Sequence, residues 1–189
     1  MPKRIGVSFR RFAMLLFLFV VAVSDLLAAQ QEEPLRATPE TQILISIADQ
    51  KLVVIQNGIV VKKFPVSTSK FGVGDSFGTY RTPTGQLRVC DKLGENLHPG
   101  AVIRHRNPTG EILKPNAPGR DPIVTRILWL EGMGSENLNA RERGIYIHGT
   151  VDERHLGRPA SYGCIRMRSS DVIEVFNASS VGTTVMIIK

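Results

Sequence analysis

The sequence has few cysteines and few aromatic residues, and it lacks an apolar run long enough to span a membrane. Two cysteines and 6% aromatic residues occur among its 189 residues. Two cysteines exclude a dense disulfide scaffold, so a packed core must stabilise a single domain of this length. No basic cluster with interleaved aromatic residues is present, and we therefore expect no nucleic acid partner. The close paired spacing of a structural zinc site is also missing, and we expect neither a metal nor a cofactor. The residues weighed as metal ligands are His98, His105, His155 and Cys90.

The first part of the chain has a basic start followed by a short apolar stretch. The basic residues are Lys3, Arg4, Arg10 and Arg11. The apolar run covers residues 12–23 and is followed by the small pair Ala28-Ala29. This order is typical of a secretory signal, and the run is shorter than the roughly 20 residues of a spanning helix. We expect residues 1–29 to be a signal peptide and the protein to be exported to the periplasm or cell envelope. An uncleaved anchor is the alternative, and it is the only membrane contact expected.

Short β-branched runs dominate the chain after a polar linker at residues 30–41, so residues 42–189 are predicted to form one mainly β domain. Asn57-Gly58 separates two such runs and predicts a hairpin. Helical spacing occurs only at residues 171–176, where Ser169 or Ser170 is the expected cap. One or two short helices are expected in all. The predicted strands are residues 43–47, 51–55, 59–61, 86–89, 101–105, 123–130, 145–147 and 185–188.

The residues with the clearest chemical potential lie between positions 144 and 167. A short strand ends at His148, and a turn of small residues leads to Cys164. A thiol is a nucleophile only as the thiolate, and a neighbouring imidazole is the usual activator. Gly163 permits a tight turn that presents the sulfur and backbone N–H groups to the same carbonyl. The pattern predicts a nucleophilic cysteine site.

A disulfide between Cys90 and Cys164 is the alternative. Counting alone favours it, because an exported protein with two cysteines usually joins them. The two positions differ in kind, however: Cys90 lies in an alternating strand pattern, whereas Cys164 lies in a glycine-containing turn. This difference favours a reactive Cys164 and a passive Cys90.

The run His148-Gly149-Thr150, followed after a spacer by S-Y-G-C-I-R-M at residues 161–167, resembles the signature of the L,D-transpeptidase catalytic domain (YkuD-type). Segments 43–68, 81–85 and 121–130 resemble framework segments of the same family, in the same order. The resemblance therefore covers the chain after the linker and implies an L,D-transpeptidase-like β-sandwich. One position departs from the family pattern, since many members have a histidine where this chain has Tyr162. That departure puts the substrate preference in question.

The resemblance implies roles for individual residues. Cys164 would be the nucleophile and His148 its base, with the carbonyl of Gly149 orienting the imidazole. The backbone N–H groups of Tyr162, Gly163 and Cys164 would stabilise an oxyanion. Two further side chains have open roles: Arg166 would hold a substrate carboxylate or brace the loop, and Ser161 would hydrogen-bond to His148 or cap the turn.

The reaction that the resemblance implies is acyl transfer on the stem tetrapeptides of peptidoglycan. A thioester at the third residue would form with loss of the terminal D-Ala, and an amine would resolve it. The amine of another stem would give a 3→3 cross-link, and a lysine of an envelope lipoprotein would give an anchored protein. Water as the acceptor would make the protein an L,D-carboxypeptidase. A non-catalytic wall-binding module with a Cys90–Cys164 disulfide is the alternative from another class.

Other polar and aromatic residues receive less specific interpretations. Residues 152–154 (Asp-Glu-Arg) are interpreted as a solvated loop. Trp129 and Tyr146 are expected in the core or a cleft wall, and Phe77 and Tyr80 lie in a glycine-rich segment that could border the cleft.

Overall fold

The computed structural model of the chain describes residues 40–189. The predicted signal peptide at residues 1–29, and the linker as far as residue 39, lie outside the described residues. Among residues 40–189, no helix is both long and apolar enough to cross a membrane.

Strands make up most of the regular structure, and the predicted mainly β class is confirmed. The described residues also contain one α-helix, α1 (Ser169–Ala178), and one 3-10 turn at Glu153–His155. The strands are β1 (Thr41–Ser46), β2 (Lys51–Gln56), β3 (Ile59–Pro65), β4 (Gly85–Leu93), β5 (Ala101–Arg104), β6 (Asn107–Ile112), β7 (Val124–Gly132), β8 (Tyr146–Gly149), β9 (Ile165–Met167) and β10 (Thr184–Ile188).

These strands are joined by hydrogen bonds into one sheet with a branch at β7. The main order is β3-β2-β1-β10-β4-β7-β5-β6, while β8 pairs with β7 and also with β9. β1 runs parallel to β10 and β8 runs parallel to β9, whereas the other pairs are antiparallel. The branch brings the two short strands β8 and β9 side by side, and these two strands carry the motif residues.

One apolar core joins strands that are far apart in the sheet order. Ile45 of β1 and Ile147 of β8 belong to the same buried cluster, together with Ile165 of β9. The helix α1 adds Val172 and Phe176, whose i, i+4 spacing places them on one face. Because side chains alternate across a strand, the residues that follow these core positions, His148 in β8 and Arg166 in β9, face away from the core.

The Asn57-Gly58 hairpin is confirmed. It joins β2 to β3, and Asn57 and Gly58 have φ values of 51° and 78°. Positive φ at both central positions is the requirement of a type I′ turn, which matches the twist of the paired strands. The first strand, β1, begins at Thr41, one residue before the predicted start of the domain.

Two strands were not predicted from the sequence. β6 is an exposed edge strand that contains Pro108 and Gly110, so it lacks an alternating apolar pattern. β9 has only three residues and depends on its pairing with β8. Such strands form through their partners rather than through local preference.

Two predictions about this region are wrong: the cap of the helix, and the interpretation of Glu153 as part of a solvated loop. The N-cap of α1 is Arg168, and it makes no side-chain cap hydrogen bond. Instead, the N–H of Ser169 donates to Glu153 Oε1 over 3.3 Å, and Glu153 Oε2 lies 3.3 Å from Arg168 Nε. Glu153 is therefore a structural partner of α1, because a carboxylate stabilises the positive end of a helix.

Candidate active site

The parallel pairing of β8 with β9 brings the motif residues together. His148 lies opposite Arg166, and Ile147 lies opposite Ile165 in the core. Cys164 immediately precedes β9, and the charge of Arg166 acts on both the Cys164 thiol and the His148 imidazole. Two segments separated by a polar loop thus bring a thiol, an imidazole and a guanidinium into one site.

The imidazole of His148 is held by its own neighbour in the chain. Its Nδ1 lies 2.8 Å from the carbonyl oxygen of Gly149. A carbonyl oxygen only accepts hydrogen bonds, so Nδ1 carries the proton and Nε2 has a free lone pair. A Cβ at Gly149 would lie 2.5 Å from the carbonyl oxygen of Val124, so this position requires glycine.

His148 is 5% exposed, and its protonation state follows from that burial. Desolvation lowers the pKa of His148 from 6.5 to about 4, and the charge of Arg166 acts in the same direction. The hydrogen bond with Gly149 and the charge of Asp121 oppose this shift. The imidazole is therefore neutral at pH 7, which is the state a general base needs.

The thiol of Cys164 donates a hydrogen bond to the carbonyl oxygen of Gly144 over 3.3 Å. Burial raises the pKa of the Cys164 thiol, whereas the N–H of Tyr146 and the charges of Arg166 and Arg143 act in the opposite direction. Within residues 40–189, no hydrogen bond joins this thiol to His148. At rest the thiol and the imidazole are therefore both neutral.

The alternative of a Cys90–Cys164 disulfide is wrong for this structure, because both cysteines are free. Cys90 lies in β4 at a bulge between Val89 and Asp91, where the register with β7 shifts. Cys164 lies immediately before β9. The non-catalytic module that depended on this disulfide loses its structural basis.

The turn before Cys164 is fixed by a buried hydroxyl. Ser161 Oγ donates to the carbonyl oxygen of Cys164 over 2.6 Å and accepts from the N–H of Gly163 over 3.2 Å. Of the two roles considered for Ser161, this geometry is that of the turn cap. Gly163 has a φ of 121°, and its carbonyl accepts from Thr82 Oγ1 over 2.9 Å.

Arg166 contacts the protein rather than open solvent. Its Nη1 lies 3.1 Å from Asp121 Oδ2 and 3.3 Å from the carbonyl oxygen of Ala160. The other carboxylate oxygen of Asp121 accepts from Thr150 Oγ1 and from the N–H of Val151. Arg166 thus braces the loop between His148 and Cys164, one of its two considered roles. Asp121 begins a framework segment of the resemblance, but nothing in its local sequence marked it as a partner.

Tyr162 belongs to an exposed aromatic cluster beside the turn. Its ring centroid lies 5.6 Å from that of Phe71 and 5.8 Å from that of Tyr80. Lys70 Nζ donates to the Tyr162 hydroxyl over 3.0 Å, and this contact lowers the pKa of Tyr162. Tyr80 therefore lies beside the site, whereas Phe77 is exposed and outside this cluster.

An aromatic pair, Trp129 and Tyr146, shares a cavity with Gly144, whose carbonyl accepts the thiol hydrogen bond. The rings of Trp129 and Tyr146 meet edge to face with centroids 5.7 Å apart. Both line a cavity of about 540 Å³ that also reaches Gly144. These two residues form a cleft wall, one of the two places expected for them.

The remaining candidates have local partners. Asp152 contacts His155, and its Oδ1 lies 3.6 Å from Arg154 Nε. Over the part of the chain that the structure describes, no group of three His, Cys, Asp or Glu side chains is arranged to hold a metal ion.

Comparison with known proteins identifies the family. The model of the L,D-transpeptidase catalytic domain (YkuD) matches residues 40–187. YcfS of Escherichia coli (strain K12) is 30% identical over 175 residues, which cover 90% of this chain and 51% of that protein. YkuD of Bacillus subtilis (strain 168) is 27% identical over 145 residues, which cover 77% of this chain and 64% of that protein. Both are assigned to the L,D-transpeptidases, and the chain spans only about half to two thirds of their length.

Solved structures show the same fold. An L,D-transpeptidase from Mycobacterium smegmatis matches with a TM-score of 0.53 at 19% identity, over 80% of this chain and 59% of that chain. L,D-transpeptidase 3 from Mycobacterium tuberculosis, in complex with a faropenem-derived adduct, matches with a TM-score of 0.51 at 20% identity, over 80% of this chain and 61% of that chain. With the family match over nearly all of the described residues, the chain belongs to the L,D-transpeptidase catalytic domain family.

Proposed function

We propose that this chain is an exported cysteine L,D-transpeptidase that acts on the stem tetrapeptides of peptidoglycan. One observation carries the proposal: the Nδ1–H of His148 donates to the carbonyl oxygen of Gly149, which leaves Nε2 free to accept a proton. This is the tautomer that takes a proton from a thiol. His148 lies on β8, which pairs with β9, and Cys164 immediately precedes β9. The basic and apolar start of the chain supports export.

The first step is formation of the thiolate. The proton moves from Cys164 Sγ to Nε2 of His148, which turns a neutral pair into an ion pair. Burial opposes this separation of charge, since it raises the pKa of the thiol and lowers that of the imidazole. The carbonyl of Gly149 stabilises the imidazolium, and Arg166 stabilises the thiolate. The ion pair therefore forms as the substrate carbonyl takes up the sulfur's electrons.

The second step is acylation. The sulfur attacks the carbonyl carbon of the third residue of the stem, and the carbonyl oxygen becomes an oxyanion. The N–H of Gly163 is already bound by Ser161, so the N–H groups of Tyr162 and Cys164 are left to stabilise the oxyanion. The intermediate collapses to a thioester as the amine of the terminal D-Ala leaves with the proton from His148.

The last step transfers the acyl group to an amine. His148 takes a proton from the acceptor amine, the amine nitrogen attacks the thioester carbon, and the sulfur leaves as the thiolate. A stem amine gives a 3→3 cross-link, and a lysine of an envelope lipoprotein gives an anchored protein. Water in place of the amine gives a shortened tripeptide, so the acceptor decides between transferase and carboxypeptidase.

The test is incubation of the purified chain with disaccharide tetrapeptide, with and without a D-amino acid, followed by mass spectrometry. We expect dimers, and exchange of the terminal D-Ala when the D-amino acid is present. Cys164→Ala should abolish both products, and Cys90→Ala is the matched control that retains them. Exchange by Cys164→Ala would refute the proposal, and tripeptide as the sole product in the presence of the amine would show a carboxypeptidase.

A further inference from the structure

Three exposed aromatic side chains form a cluster beside the turn that carries Cys164. Phe71, Tyr80 and Tyr162 are 44%, 56% and 54% exposed, and every pair of their rings is in contact. A contiguous exposed apolar patch marks an interaction site, whereas single exposed apolar side chains need no explanation. The cluster depends on Tyr162, which stands where many members of the family have a histidine. It is therefore a feature of this chain.

The backbone beneath the aromatic cluster is fixed by a buried serine. Ser69 Oγ donates to the carbonyl oxygen of Tyr80 over 2.6 Å and accepts from the N–H of Phe71 over 3.0 Å. The N–H of Lys70 donates to the carbonyl oxygen of Ser161, one position before the third ring, over 3.1 Å. Tyr80 has a φ of 55°, which a bulky side chain adopts when the surrounding structure imposes it. The three rings are thus held in place before a ligand binds, which lowers the entropic cost of binding.

The aromatic cluster also carries polar groups. Lys70 Nζ lies 4.4 Å from the ring centroid of Tyr162 and 5.3 Å from that of Phe71, and it donates to the Tyr162 hydroxyl. The hydroxyls of Tyr80 and Tyr162 both donate and accept hydrogen bonds. A sugar ring matches this mixture, because its axial C–H bonds form an apolar face and its hydroxyl and amide groups lie around the edge.

The aromatic cluster is within reach of the sugar of a stem bound at the thiol. Tyr162 is two residues before Cys164, so their Cα atoms are at most about 7 Å apart. In a stem whose third-residue carbonyl lies at the sulfur, two more residues connect that residue to the sugar. At roughly 3.6 Å per residue, these three residues span up to about 11 Å. The length of the stem therefore allows the sugar to contact the cluster while the peptide occupies the site.

We propose that the aromatic cluster and Lys70 bind the glycan strand of peptidoglycan at the sugar that carries the stem. The C–H face of the sugar packs against the rings, and the ammonium of Lys70 donates to its hydroxyl or amide oxygens. A protein partner would bury about 800 Å² on this side, whereas three half-exposed aromatic side chains offer roughly 300 Å². The inference rests on the proposed function, since it adds a contact to the sugar of the same substrate.

The test compares disaccharide tetrapeptide with the same tetrapeptide lacking the sugars, by calorimetric titration of the Cys164→Ala chain. We expect the disaccharide form to bind about tenfold more tightly, the effect of one well-packed ring contact. Phe71→Ala and Tyr162→Ala, each in that background, should reduce the ratio of the two dissociation constants to about threefold or less. Phe77→Ala is the matched control and should keep the ratio, because Phe77 is exposed in the same glycine-rich segment but outside the cluster.

Three results would overturn the glycan surface. One is equal affinity of the Cys164→Ala chain for the two ligands, and another is an unchanged ratio in both cluster variants. The third is a dimer in sedimentation that Phe71→Ala abolishes, which would assign the cluster to a second copy of the chain. D-amino acid exchange with Cys164 intact is measured separately. A preference for the disaccharide form without exchange would refute the proposed function and leave the glycan surface, whereas exchange without that preference would do the reverse.

Discussion

At the scale of single residues, the buried neutral imidazole of His148 has a consequence for stability. The pKa of His148 falls from 6.5 to about 4 on folding, because the charged form is desolvated. Between these values the unfolded chain binds a proton that the folded chain does not. The contribution of this group to the free energy of unfolding is therefore highest above pH 6.5. It decreases by about 3 kcal/mol as the pH falls toward 4.

We predict that His148→Gln loses this acid-dependent part of the stability. The measurement is urea unfolding at pH 7 and at pH 4 for the native chain and the variant. His98→Gln, at an exposed histidine, should keep the dependence of the native chain. Equal acid sensitivity of His148→Gln and the native chain would contradict the assignment of a buried neutral imidazole.

Gly163 shows how a single backbone conformation supports the turn before Cys164. Its φ of 121° disfavours any side chain, and a Cβ would lie 3.3 Å from the carbonyl oxygen of Arg81. Gly157 also has a positive φ, of 87°, but a Cβ there would meet nothing within 4 Å. Comparing alanine substitutions at Gly163 and Gly157 therefore separates the cost of backbone strain from the cost of close packing.

We predict that Gly163→Ala destabilises the protein by about 2 kcal/mol or more, against about 1 kcal/mol for Gly157→Ala. Only the first should also lose exchange activity, because the turn holds Cys164 in place. Thermal unfolding and D-amino acid exchange measure the two effects. Similar losses in both variants would show that the packing around Gly163 is unimportant.

At the scale of elements, the sequence predicted those strands and helices whose local residue pattern is enough to specify their secondary structure. β1 and β2 alternate apolar residues toward the core, and Asn57-Gly58 has the chemistry of its turn. β6 has exposed residues with Pro108 and Gly110, so only its pairing with β5 makes it a strand. The motif likewise marked His148 and Cys164, since their chemistry is local to two short segments. Asp121 could not be found in the same way, because its role comes from contacts with residues distant in sequence.

The helix α1 provides a prediction about the loop between the two motif segments. Glu153 caps the Ser169 N–H and pairs with Arg168, so Glu153→Gln should destabilise the protein by about 1 kcal/mol. Glu174→Gln is the control on the same helix. Its ion pair with Lys62 is about half exposed on both sides and contributes little. Equal stability of the two variants in urea unfolding would contradict the capping role.

At the scale of the whole molecule, a buried ion pair connects two irregular segments next to the site. Arg143 Nη1 lies 3.0 Å from Asp75 Oδ1, with side chains 5% and 9% exposed. Arg143 also donates to the carbonyl oxygen of Arg81, and Asp75 accepts from the N–H of Asn139. Segment 71–81 is thereby fixed to segment 139–143, and the charge of Arg143 lowers the pKa of Cys164.

We predict that Asp75→Ala destabilises the protein by about 3–5 kcal/mol, because it leaves the Arg143 charge buried without its partner. The double variant Asp75→Ala/Arg143→Met should lose less than the sum of the two single variants, which denaturant unfolding of all four proteins measures. Arg143→Met should also shift the activity profile toward higher pH, since the thiol loses a neighbouring positive charge. Additive losses with an unchanged profile would contradict the coupling.

The position of β10 determines when folding of the domain is possible. β10 lies inside the sheet, with β1 on one side and β4 on the other. A nascent chain interrupted before Thr184 therefore has two sheet fragments without the strand that joins them. Because β1 pairs with residues at the other end of the domain, the contacts are non-local and folding is expected to be slow. We therefore expect the domain to remain unfolded until β10 has been synthesised, and an unfolded chain is narrow enough to pass through a pore during that interval.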